Sequence, residues 1–398
     1  MARALDGIQV VDFSHVLAGP ICTHYLCLQG ADVVKVEPAA GDTMRSYGGQ
    51  THPDGLSPSF IAVNAGKRSV VLDLKDERQL GAARRLVAGA DVVVENFRPG
   101  VMDRLGLGYE ACKALNPGLV FCSISGFGQT GPLRANPAID QIIQSMSGLM
   151  MLSGEPGSPA LRVGFPLVDT YTGLTAAFAI MGSLLRRART GAGQRIDVAM
   201  LDAALAMMIP VAGPFLAAGV EPRRTGNLGY SQSPTADTFP TADGEITLGV
   251  VRQQQFEALC RVLQRTEWLR DPRFAARRAR QHNALSLRAE VVAALRGRDA
   301  ITWERLLNEA GVAAGAVRTL PQALQMEQLS QRALCLPVEL PSGRGQVLNA
   351  GFLLAEDPAG VERPPPTLGQ HTRQVLQGLG YATAEIDAMT AAAPAPPP

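Results

Sequence analysis

Short apolar runs rich in β-branched residues alternate with helical patterns through the first half of the chain. Runs at 8–14 (IQVVDFS), 31–37 (ADVVKVE), 69–74 (SVVLDL), 91–97 (DVVVENF) and 119–125 (LVFCSIS) have the length and composition of buried strands, and 194–198 gives a shorter one. Helical patterns fall between them. The first opens at Gly19-Pro20, runs to Gln29 and stops at Gly30. Others cover 79–88, 101–105, 109–115, 139–150, 171–187 and 200–209, and 41–59 is a polar Gly/Pro loop. Strand, helix and strand within about 30 residues make a βαβ unit with parallel pairing. The alternation predicts an α/β fold: an open sheet with helices on both faces. The 171–187 pattern is apolar nearly all round, so a buried helix is expected. Arg186, Arg187, Arg189 and Gly191 close it, as the helix dipole and left-handed termination favour.

The pattern changes near 219–233, where polar residues, Gly and Pro mark a domain boundary. A hairpin follows at 237–251 with Ala242-Asp243-Gly244 as its turn, then helices from 253 to 309 with Trp268 and Trp303 as core anchors. A turn and short strand at 311–317, a helix at 321–333, strands at 338–340 and 346–348, a proline linker at 364–366 and a helix at 370–379 complete the order. The tail 391–398 is expected to be disordered.

Composition narrows the class. A length of 398 residues suggests two domains, and 46% hydrophobic against 18% charged residues implies a sizeable core. A formal net charge of +1 points to neither nucleic acid nor an anionic membrane as partner. The N-terminus shows no signal-peptide pattern. The uncharged run 170–185 is short for a bilayer span, and 203–220 is broken by Pro210, Gly213, Pro214 and Gly219, so both are read as buried elements. The six cysteines (Cys22, Cys27, Cys112, Cys122, Cys260, Cys335) are scattered, as in a cytoplasmic protein with reduced thiols. Cys22, His24 and Cys27 lack a fourth partner, so no metal site is expected.

The chain has no G-x-S-x-G, HExxH, paired CxxC or Walker A motif, and no G-x-G-x-x-G after the first strand. His15 and its neighbours occupy that loop instead, before a helix N-terminus that offers N–H groups to an anion; a plain turn cap explains His15 equally well. Lys75, Asn96, Phe97 and Arg104 fall at strand ends or first helix turns on one rim of the sheet, a setting for a phosphate-bearing ligand with a flat ring. Singly, Lys75 and Arg104 read as solvated surface charges. Residues 125–132 (SGFGQTGP) form either a sharp turn or a source of N–H donors to a carbonyl oxygen. Asp169 is the one acid between Glu155 and Asp197. Standing before an apolar helix it reads as an N-cap, and a helix N-terminus would also keep its carboxylate ionised and able to attack a thioester.

Together these stretches resemble the family III CoA-transferases, the group of the carnitine, bile-acid and formyl-CoA transferases. The matching segments are DFSHVLAGP, GADVVKVEP, GKRSVVLDLK, VENFRPGVMDRLGL, SGFGQTGP, SGLM, FPLVDTYTGLTAA, GAGQRIDVAM and GVAAGAVRTLPQAL, in the family's order from Asp12 to about Leu324. The resemblance implies a Rossmann-like large domain formed by both chain ends (1–222 and 329–398) and a smaller inserted α+β domain (223–328). It implies two subunits interlocked as a homodimer. Asp169 matches the catalytic aspartate. CoA contacts map onto His15, Val16, Ala18, Leu72, Lys75, Asn96, Phe97 and Arg104. Coenzyme A and acyl-CoA enter as substrates beside a carboxylic acid, with no tightly bound cofactor.

Two positions depart from the family. Ile139 stands where members often carry an aromatic residue, and Pro38 where some have a cation near the CoA phosphates, leaving Lys35, Arg68 or Lys75 to supply that charge. The implied reaction passes through a mixed anhydride on Asp169 and an aspartyl-CoA thioester. Arg45, Arg68, Arg134 and Arg162 are available for a second carboxylate, so a small dicarboxylate acceptor with succinyl-CoA as donor is expected. One alternative is an α-methylacyl-CoA racemase, which uses a His–Asp pair in a G-H-D setting. Here Ile139-Asp140 stands there, and no histidine lies between His52 and His282. The other is a CoA-binding protein without catalysis, which would exchange no acyl group.

Overall fold

A computed structural model describes residues 3–47, 56–340 and 343–390. The tail 391–398 and residues 48–55 of the predicted loop lie outside the described residues. The apolar runs form one parallel sheet: β1 (Gln9–Asp12), β2 (Asp32–Glu37), β3 (Arg68–Val71), β4 (Val92–Glu95), β5 (Val120–Ser125) and β6 (Gln194–Ala199), in the order β3-β2-β1-β4-β5-β6. Successive side chains point to opposite faces. Val10, Val33, Val92, Val94 and Val120 enter one core, while Val11, Val34, Val93 and Phe121 enter the other. Both faces are covered, which is why the strands read as unbroken apolar runs.

The strand order reverses at β1. The chain travels outward through β2 to β3, then restarts on the other side with β4. Loops leaving β1 and β4 diverge there, and the crevice between them is where such sheets take ligands. The C-terminal region completes this unit. Val375, Leu376, Ile386 and Met389 join the core under β3. His371 N–H donates to the Ser69 carbonyl (2.9 Å), and Thr372 Oγ1 accepts from Val71 N–H (3.0 Å), so the outer edge of β3 is paired.

Contacts divide the chain into two compact units: Met1–Met150, Arg162–Val220 and Glu327–Pro398, and then Met151–Leu161 with Glu221–Met326. Residues 151–161 thus cluster with the second unit, although the sequence places them in the large domain. Gly226 N–H donates to the Gly154 carbonyl (3.2 Å) and Arg224 Nε to that of Met151 (3.0 Å). The second unit carries an antiparallel sheet of Thr238–Pro240, Glu245–Leu248 and Ala314–Ala316, with Trp268 and Trp303 buried beside it.

Three helices position the site: α1 (Ala18–Leu28), α2 (Asp140–Met146) and α3 (Leu167–Thr190). α3 lies against α1 so closely that a Cβ on Gly173 would come 2.6 Å from the Ala18 carbonyl oxygen. It differs from the expected helix in two ways. It starts at Leu167 rather than near 171, and only one stripe is buried: Val168, Thr172, Ala176, Ile180 and Leu184, at helical spacing. Its other side exposes Leu174, Leu185 and Phe178, the last at 79%. The Ile209–Ala218 helix buries none of its residues, and Leu216 is 82% exposed, so of the 203–220 run expected to be buried only Ala203, Ala204 and Met208 at its start are.

Candidate active site

The loops after β1, β4 and β5 meet the starts of α1, α2 and α3 around a cavity of about 510 Å³. His15, Val16, Ala18, Asn96, Phe97, Ser125, Gly126, Ile139, Asp140, Arg162 and Asp169 are among its lining residues. A second cleft of about 470 Å³ continues past Asn96, Phe97, Gly126 and Ile139 toward Arg98 and Arg134. The chains crowd here: a Cβ on Gly126 would lie 2.3 Å from that of Ala138.

Asp169 sits in the first turn of α3, inside the helix rather than ahead of it. The capping role expected of it belongs to Asp140, at the start of α2. Asp140 Oδ2 accepts from the N–H groups of Val168 (2.8 Å) and Asp169 (3.2 Å). Its other oxygen accepts from Gln144 Nε2 (2.6 Å), and Gln144 Oε1 accepts from Val163 N–H (2.9 Å). Gln144 is fully buried, so this pair clips the 163–169 stretch to α2. No hydrogen bond to the Asp169 carboxylate forms among the described residues. Burial, and then the Asp140 charge, push its carboxyl up from the ordinary 3.8 to about 7. The helix dipole does not win here, and the ionised state expected from it is only partly populated at neutral pH.

The β1 loop is held from behind. Asn96 Oδ1 accepts from His15 N–H (2.9 Å), and Asn96 Nδ2 donates to the His15 carbonyl (2.8 Å). Val16 lies at φ +67°, unusual for a β-branched residue, and its N–H donates to Asp42 Oδ1 (3.1 Å). Asp42 is itself paired with Lys35 Nζ (2.9 Å), both side chains being fully buried, and Lys35 also donates to the Ser14 carbonyl (2.6 Å). Burial, followed by the Lys35 charge, holds the His15 imidazole below its ordinary value, so it is neutral at pH 7.

His15, Val16, Ala18, Asn96 and Phe97 therefore share one cavity with Asp169, whereas Leu72, Lys75 and Arg104 do not line it. The Leu72 side chain is buried in the core against which Phe97 packs. Lys75 follows β3, where Asp73 Oδ1 accepts its N–H (2.9 Å), and Arg104 ends the short helix Val101–Arg104. Of the three cations offered for the Pro38 vacancy, Lys35 is committed to Asp42 and Arg68 to Asp32 (2.6 Å), which leaves Lys75. At the tip of the 125–132 loop the N–H groups of Gly128 and Gln129 are taken by Ser125 Oγ (3.0 Å) and Asp197 Oδ2 (2.9 Å). Sequence reasoning missed the Asp140–Gln144 pair. An acid and an amide four apart at a helix start was the available signal.

Comparison with known proteins gives a consistent result. A family model described as CoA-transferase family III matches residues 5–372. The succinate–glutarate CoA-transferase of Agrobacterium fabrum is 36% identical over 389 residues, covering 94% of this chain and 95% of that protein. The acetyl-CoA:oxalate CoA-transferase of Acetobacter aceti is 40% identical over 333 residues, covering 83% and 85%. The crystal structure of a CAIB/BAIF family protein from Brucella suis superimposes with a TM-score of 0.87 at 35% identity, covering 95% of this chain and 100% of that one.

Proposed function

The chain belongs to CoA-transferase family III, enzymes that move CoA between acids, and from that premise we propose that Asp169 carries the acyl group. The Asp169 carboxylate attacks the acyl-CoA carbonyl. CoA thiolate leaves, and a mixed anhydride forms. The thiolate attacks the aspartyl carbonyl of that anhydride, releasing the first acid and forming an aspartyl-CoA thioester. The acceptor carboxylate attacks this thioester, CoA leaves again, and a second anhydride forms. The thiolate then attacks the acceptor's carbonyl, giving the new acyl-CoA and free Asp169. Every nucleophile is an anion and every leaving group departs as one, so the cycle consumes no proton and requires no general base.

The observation that carries this reading is a carboxylate in the cavity on which no hydrogen-bond donor lies among the described residues. An anion left unstabilised by its surroundings is more nucleophilic than a solvated one. Fixing the partners in one cavity contributes up to roughly 7–11 kcal/mol in well-oriented reactions. His15, Val16, Ala18, Asn96 and Phe97 hold the reacting end of CoA. Lys75 and Arg104, farther along the C-terminal rim, face its phosphates, and Leu72 contributes through its backbone. The acids are small dicarboxylates, as in the succinate–glutarate enzyme of Agrobacterium and the oxalate enzyme of Acetobacter, and the donor is succinyl-CoA, the thioester of one of the Agrobacterium enzyme's two acids. The apolar outer sides of α3 and the Ile209–Ala218 helix fit burial by a second copy in an interlocked homodimer.

The test is Asp169→Ala. Transfer should be lost, and the wild-type peptide containing Asp169 should gain the mass of an acyl or CoA adduct when incubated with acyl-CoA. Near wild-type turnover in the variant overturns the assignment.

A further inference from the structure

The Asp169 cavity carries a cationic side chain that the transfer steps leave idle. Of the four arginines the sequence offers for a second carboxylate, Arg45 is held bidentately by Glu37 (2.8 and 2.7 Å) and Arg68 by Asp32 (3.0 and 2.6 Å). Arg134 lines the adjoining cleft but not this cavity. Arg162 lines the cavity itself, is exposed, and among the described residues makes no ion pair and no side-chain hydrogen bond.

Its place relative to Asp169 is set by the fold. Val163, the next residue, is hydrogen-bonded to Gln144, and Gln144 to the same Asp140 that caps Val168 and Asp169. One buried acid–amide pair therefore fastens both ends of the stretch that joins Arg162 to Asp169. The charge balance agrees. The lining includes the carboxylates Asp140 and Asp169, and among the described residues its basic side chains are His15, which is neutral, and Arg162. A substrate with a second carboxylate would meet net repulsion without that guanidinium.

We propose that Arg162 is the specificity-determining residue of the acid site. Its guanidinium pairs with the remote carboxylate of a dicarboxylic acid while the other carboxyl group exchanges CoA at Asp169. The inference rests on the reading of Asp169 as acyl carrier and deepens it. A guanidinium–carboxylate pair has two-point geometry that an ammonium cannot copy, so the preference is for length as well as charge.

The experiment compares wild type, Arg162→Gln and Arg162→Lys with one saturating acyl-CoA donor and a panel of C4–C6 dicarboxylic acids, each against the monocarboxylic acid of equal chain length. In Arg162→Gln the dicarboxylate-to-monocarboxylate ratio of kcat/KM should fall about 10–100-fold, chiefly through KM for the dicarboxylate, as expected for loss of a charge-assisted pair. Arg162→Lys should retain an intermediate ratio. A ratio unchanged within about twofold in Arg162→Gln, or an equal loss for both kinds of acid, overturns the inference while leaving the Asp169 reading intact. Wild-type protein that transfers CoA to no acid, or transfer that survives Asp169→Ala, overturns the reading beneath it as well.

Discussion

Replacing Asp140 with Asn tests how the cavity activates its nucleophile. Raising a carboxyl from 3.8 to about 7 disfavours its anion by about 4 kcal/mol. Burial is the larger cause and Asp140 the smaller, so Asp140 supplies less than about 2 kcal/mol of it. Neutralising that charge should move the Asp169 pKa down by about one pH unit, to about 6 and not back to 3.8. The attacking form is the anion, so activity rises as pH rises through this value. The acid limb of kcat/KM for CoA transfer, which reports the free enzyme, should shift to lower pH by that amount. At pH 6 the ionised fraction rises from about one-tenth to about one-half, a gain of about fivefold in the reacting form. Above pH 8 no gain remains, and a less basic nucleophile should lower the plateau. The new amide also faces the Gln144 amide with one donor–donor contact, so the α3 cap weakens by about 0.5–2 kcal/mol. A melting curve at each pH separates that loss from the kinetics. An acid limb that stays at about 7, or moves upward, refutes the electrostatic argument.

Two further substitutions test the scaffold. Lys35→Met leaves Asp42 buried without its partner and should destabilise by about 3–5 kcal/mol in chemical denaturation, with a raised KM for acyl-CoA because Asp42 holds the Val16 turn; an unchanged midpoint would count against the buried pair. Gly173→Ala should cost about 1–3 kcal/mol through the clash with Ala18, although alanine favours a helix by about 1 kcal/mol. Gly81→Ala, in the helix Glu77–Ala88 where the nearest atom stands 3.8 Å away, should instead stabilise by about 0.5–1 kcal/mol, and equal effects at the two sites would remove the close-packing account of α1 and α3.

All six strands were legible because buried parallel strands must be apolar on both faces, and a run such as VVLDL or DVVVE has no other economical reading. Their C-terminal ends then located the loops of His15, Asn96 and Ser125. The rest of the site depends on partners far away in sequence. Local pattern made Asp169 a cap, since the acid that takes that role lies 28 residues before Val168. Lys35 looked available for a phosphate because nothing near it in sequence announces that Asp42 folds back over it. The four arginines were equivalent as letters and were separated by the acids that the fold brings to Arg45 and Arg68 and by the adjoining cleft in which it places Arg134. The exposed face of α3 has the same origin, because an all-apolar pattern marks a helix as a core element without showing how much of its circumference the chain's own core covers.

The pairing of the β3 edge has a consequence for biosynthesis. Val71 N–H finds its acceptor on Thr372, 301 residues later. At a translation rate of about 5–20 residues per second, roughly 15–60 s pass between emergence of the strand and of its cover. Through that interval β3 is an open edge with unpaired backbone groups, the usual template for mispairing with another nascent chain. Folding of the sheet is therefore tied to synthesis of the stretch around Thr372, and the interval before it emerges is when a ribosome-bound chaperone would find this chain.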